Sequence, residues 1–85
     1  MKEKYPHFRY YLKGNHPALI VGEKADSYNF RGVMHTAKDG KKNNEIVQPN
    51  PNRKDKKPMY ISRRVKHDKK VFFAKNKLPW KYPKR

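Results

Sequence analysis

The longest uninterrupted apolar run in this chain is Ala18-Leu19-Ile20-Val21, set between Pro17 and Gly22. Four such residues, two of them β-branched, are too few for a helix and leave no polar position to face water, so they predict a short central strand, 16–22, buried on both faces. Pro17 lacks a backbone donor and suits the start of such a strand. Further on, Tyr28, Phe30, Gly32 and Met34 fall on one face at period two, while Asn29, Arg31, Val33 and His35 fall on the other. That alternation predicts a half-buried strand over 28–36. The polar residues 23–27 form a hairpin-length link between the two. Gly32 in mid-strand predicts a bend or bulge, as at a barrel corner.

The remaining pattern is also β-like. Phe8 to Leu12 is rich in aromatic residues and predicts a first strand, with Gly14-Asn15 turning the chain into the next. Residues 38–44 read as a loop, and Glu45 to Gln48 as a short strand stopped by Pro49. Residues 49–58 carry three prolines and four basic residues, which excludes a helix interior or a central strand and predicts an exposed, extended basic loop. Met59 to Ser62 restarts β structure with Met59 and Ile61 on one face, and passes into 63–68. Residues 69–75 fit a last strand or one helical turn equally well. Pro79 and Pro83 keep the end of the chain from forming a regular helix, so Trp80 and Tyr82 are expected to lie across the barrel or to project from it. The sum is one all-β domain over 1–85, a small antiparallel SH3-like barrel, with the OB-fold as the alternative and 76–85 as an extended basic tail.

Composition adds a partner class. The 85 residues include 23 Lys plus Arg against 7 Asp plus Glu, a net charge of +16. Self-repulsion on this scale is best tolerated where a polyanion neutralises it. The imbalance is concentrated: residues 1–45 hold nine basic and five acidic side chains, and residues 46–85 hold fourteen and two. The second half is therefore expected to carry the binding surface, and nucleic acid is the expected partner. RNA is favoured over duplex DNA because no helix is predicted that would enter a major groove. A ribonucleoprotein is the alternative target. The absence of cysteine fits a reducing compartment, with the cytoplasm as the default. The pattern contains neither a bilayer-spanning run nor the apolar core of a signal peptide, and membrane binding is not expected.

The segment Gly14-Asn15-His16-Pro17-Ala18-Leu19-Ile20-Val21, followed by Val33-Met34-His35-Thr36 at the close of the next strand, resembles the start of toxins of the PemK/MazF class. The resemblance covers roughly residues 14–36. It implies an SH3-like barrel, a homodimer, and cleavage of single-stranded RNA without a metal. Thr36 would match the Thr or Ser that ends that strand in the family. Where the family places an Arg near the turn after its first strand this chain has Lys24, leaving Arg31, Arg63 and Arg64 as substitutes. The excess of basic residues, unusual for the class, points to a relative of the fold encoded by a mobile element rather than an active toxin.

Such a ribonuclease would activate a ribose hydroxyl, protonate a leaving oxygen and stabilise a crowded phosphorane, tasks for acid–base groups and an Arg. Arg31, His35 and Thr36 are the catalytic candidates, with His67 and Asp68 in support. The plainer reading makes His35 a barrel-rim histidine and Thr36 a turn cap. The four histidines show no paired ligand spacing, and neither a metal nor a cofactor is expected. The binding candidates are Lys54, Lys56 and Lys57 on the proline-rich loop, then Arg63, Arg64, Lys66, Lys69 and Lys70. Tyr60 and Trp80 are candidates to stack unpaired bases among these cations. Of the adjacent pair Phe72 and Phe73, at least one must enter the core.

Overall fold

A computed structural model describes residues 4–34 and 44–83. Five strands form one sheet: β1 (His7–Tyr11), β2 (His16–Glu23), β3 (Ser27–Met34), β4 (Asn44–Val47) and β5 (Met59–Lys69). Their order is β1-β2-β3-β5-β4, and every neighbouring pair is antiparallel. A single 3₁₀ turn, Lys70–Phe72, follows β5. The fold is thus all-β and barrel-like, as the alternation predicts.

Why the apolar run of β2 lacks a polar position is evident from what lies on either side of it. Successive strand residues point to opposite faces. Ala18 and Ile20 enter one core with Tyr28, Phe30 and Phe73, whereas Leu19 enters another with Phe8, Val47, Met59 and Ile61. The strand is buried on both faces. It is not the middle of the sheet, however, because β3 holds that place between β2 and β5. Phe8, Leu19, Ile20 and Ile61 are almost wholly excluded from solvent, and each contributes roughly 1.5 to 3 kcal/mol through burial.

The hairpin β2–β3 closes through Lys24 N–H donating to Ser27 O at 2.9 Å. In β3 the alternation holds, with Tyr28 and Phe30 in one core and Val33 against the other. The register of β3 against β5 shifts between Arg31 and Val33, which places an irregularity at Gly32, as expected. The β1–β2 turn uses Gly14 at φ 85° and Asn15 at φ 50°, both left-handed, a region that Gly and Asn occupy most easily.

The chain after the 3₁₀ turn runs back along the outer edge of β1. Leu12 N–H donates to Phe72 O at 2.7 Å, Ala74 N–H to Tyr10 O at 2.9 Å, and Leu78 N–H to Phe8 O at 2.8 Å. Residues 70–75 therefore contain both forms that the pattern allowed, a helical turn and then an edge segment bridged at Phe73 to Tyr11. Phe73 is buried and Phe72 half-buried. The tail does not trail from the domain. Leu78, Trp80 and Tyr82 pack on the Phe8 core, so the described part of 76–85 is a covering strap.

Arg9 secures that strap. It is only 5% exposed, and its guanidinium donates to Ala74 O at 2.9 Å and Lys75 O at 2.7 Å. Its Nε donates to His7 Nε2 at 3.0 Å, so that His7 carries its proton on Nδ1, which lies 2.8 Å from Lys4 O. A buried charge needs this full set of partners, since unpaired burial is costly.

Candidate nucleic-acid interface

Two segments that are distant in sequence face one another across a groove. One is the loop 48–56; the other is the strap from Pro79 to Pro83. The loop is held by its own side chains, because Asn and Asp readily bond the backbone two residues on. Asn50 Oδ1 accepts from Asn52 N–H at 2.9 Å, Asn52 Oδ1 from Lys54 N–H at 3.3 Å, and Asp55 Oδ1 from Lys57 N–H at 3.0 Å. Asn50 Nδ2 also donates to Lys57 O at 2.9 Å. The segment is exposed and basic, as its composition predicts, but folded into successive turns rather than extended.

The groove encloses about 1040 Å³ and is lined by Arg53, Lys54, Lys56 and Lys81, with Trp80 among them. Trp80 rests edge-on against Phe8, ring centroids 5.6 Å apart, and remains half-exposed. Trp80 thus both packs on the Phe8 core and lines the groove. A second hollow of about 390 Å³ adjoins the first and shares Asn50, Asn52, Asp55 and Trp80 with it. Lys57 lines this smaller one.

The structure thus gathers Lys54, Lys56, Lys57 and Trp80 around two adjoining hollows. Arg63, Arg64, Lys66 and Lys69 lie elsewhere, exposed along β5. Beyond Ser62, no described strand pairs with the free side of β5. Charged side chains there also protect an open edge from pairing with another chain. Lys70 is ion-paired with Glu23 and stands over the Tyr28 ring at 5.2 Å. Glu23 is held below the usual carboxylate range, chiefly by Lys70 and then by Tyr5. Tyr60 is half-buried opposite Ile46 and Met34. The cations therefore form two groups, one in the groove and one on β5.

Arg31 is committed to a partner. Its guanidinium meets Glu45 Oε1 at 2.9 Å and donates to Ser62 O at 2.7 Å. Glu45, 8% exposed, accepts at Oε2 from the Tyr82 hydroxyl at 2.5 Å. His35 and Thr36 lie outside the described residues. Asp68 accepts from Tyr11 at 2.5 Å and pairs with Lys13 at 3.1 Å. The Tyr11 bond, followed by the Lys69 N–H and Lys13, holds its carboxyl below the usual range, and the same bond pushes the Tyr11 phenol up to about 12. Among the described residues no group of three or more His, Asp or Glu could hold a metal ion, and no helix is long and apolar enough to cross a membrane.

Sequence reasoning did not single out Arg53, Asn50, Asn52 or Asp55. The signal was present, since Asn and Asp two and three residues apart among prolines are turn-forming types. What it lacked was the opposing wall.

Comparison with known protein families, with curated proteins and with solved structures finds no match to this chain.

Proposed function

We propose that this chain is a small basic protein that binds single-stranded RNA in the groove between the 48–56 loop and the strap. The observation that carries the reading is the half-exposed Trp80 ring set among Arg53, Lys54, Lys56 and Lys81. An indole face takes any unpaired base, worth about 1 to 3 kcal/mol by stacking. Arg53, Lys54 and Lys56 on the loop wall and Lys81 on the strap wall supply the charge to meet phosphates on either side of that base. Duplex is disfavoured because its bases are already stacked on one another, and a groove of this kind reads splayed bases. The cytoplasm is the proposed compartment, supported by the absence of cysteine.

Labelled single-stranded RNA incubated with the protein in chelator, across a salt series, tests this reading. Retention that falls by orders of magnitude from low to moderate salt, with intact RNA, is the expected result. Cleaved RNA would instead favour the PemK/MazF-like ribonuclease, and retention only on a ribonucleoprotein would favour a docking factor.

A further inference from the structure

Among the described residues that line the groove, one carries a carboxylate, Asp55. Asp55 is one of only two acidic residues in 46–85, against fourteen basic ones, and the other, Asp68, is taken by Tyr11 and Lys13. It stands between Lys54 and Lys56, where a negative charge opposes phosphate binding. Its turn bond to Lys57 N–H uses Oδ1 alone, and Asn or Ser makes the same turn without a charge. Oδ2 has no hydrogen-bond partner among the described residues, nor has Nδ2 of Asn52. Both residues line the smaller hollow with Trp80, and its other walls include Pro17, Val33, Met34 and Met59. Apolar walls with a few polar side chains among them make a site for a flat ring with a polar edge.

We propose that this hollow takes an unpaired guanine, stacked on Trp80 and read by Asp55, an inference that rests on the RNA-binding reading above. A carboxylate only accepts hydrogen bonds, and its two oxygens match two adjacent N–H donors. Among the bases only guanine presents that pair, N1–H and N2–H, on its Watson–Crick edge. Its O6, next along the edge, is the acceptor for the Asn52 amide. Adenine, cytosine and uracil each set an acceptor against the carboxylate beside their one donor position. The acidic residue thus gives up general phosphate affinity for choice of base.

The chain has a single tryptophan, so its fluorescence reports on this site. The full chain is titrated with short oligouridylates carrying guanosine, inosine, adenosine or uridine at one central position. The guanosine oligomer should quench Trp80 with about 5- to 150-fold higher affinity than the adenosine or all-uridine ones, the discrimination of a good bidentate pair. Inosine, which lacks the N2 amino group, should fall between. Asp55→Asn, which keeps the turn acceptor, should abolish the preference and tighten binding of the all-uridine oligomer. Equal quenching by all four overturns the guanine site while leaving the RNA-binding reading standing. A guanosine preference that survives Asp55→Asn overturns the role of Asp55. No quenching and no retention of any oligomer at low salt overturns both.

Discussion

The hydroxyl of Tyr82 donates to Oε2 of Glu45 on β4 at 2.5 Å, tying the C-terminal strap to the opposite edge of the sheet. Arg31 holds the other oxygen of the same carboxylate from β3. One buried carboxylate thus fixes the strap that carries Trp80, and with it one wall of the groove.

Tyr82→Phe removes that bond and leaves the ring in place. A hydrogen bond to a charged group contributes about 1.5 to 3 kcal/mol, so urea unfolding should show a loss of that size. Because the strap is a groove wall, RNA affinity should fall as well, though residue 82 carries no charge to lose. Unchanged stability would mean that the strap is held by Arg9 and the apolar contacts alone.

Arg31→Met removes the cation that meets Glu45 Oε1, and breaking a buried pair from one side costs about 3 to 5 kcal/mol. Adding Glu45→Gln removes the buried negative charge as well, and the double variant should recover much of the stability in thermal melts. The pair also separates structure from catalysis. If the protein cleaves RNA, a stable double variant that has lost cleavage assigns Arg31 a catalytic part, and one that retains it assigns Arg31 to the fold.

The Tyr11–Asp68 bond gives stability a pH dependence of known sign. Tyr11 titrates at about 12 in the fold against an ordinary 10.0, so its contribution is complete below about pH 10 and is lost as pH rises toward 12. Tyr82, raised first by burial and then by Glu45, acts in the same direction. Asp68 is depressed, so its contribution is present at neutral pH and lost as acid approaches its lowered value. Melting temperature against pH should therefore fall in strong alkali, and Tyr11→Phe should flatten that limb. Phenolate absorbance of the folded protein should rise later than that of the unfolded chain.

Much of this fold is legible in the sequence because its signals are local. The apolar run 18–21, the alternation through 28–34 and the irregularity at Gly32 each depend on neighbours in the chain. The strap was legible only as one of two alternatives. Leu78 and Trp80 are separated by Pro79, Trp80 and Tyr82 by Lys81, and the three follow no helical period, so it is their docking on the Phe8 core that decides between covering the barrel and projecting from it. Arg9 is similar, a charged residue in an aromatic strand whose burial is explained by carbonyls at 74 and 75. For the candidate site the basic residues were readable as a set, but their division between groove and β5 edge depends on how the loop 49–58 folds back toward Trp80.

That division makes a quantitative prediction for salt dependence. Each lysine that meets a phosphate of a single strand contributes about 0.7 to the slope of log affinity against log salt. Lys54→Ala and Lys56→Ala should each reduce the slope by about that amount. Arg63→Ala and Arg64→Ala, on the β5 edge, should leave it nearly unchanged for an oligomer short enough to fill only the groove.

The most direct measurement is a titration of isotopically labelled protein with a short single-stranded RNA, followed residue by residue through the backbone amide resonances. The account predicts shifts concentrated in 48–57 and 80–82, together with the indole N–H of Trp80. Shifts confined to β5, or spread evenly over every basic residue while the Trp80 indole stays unmoved, would contradict it.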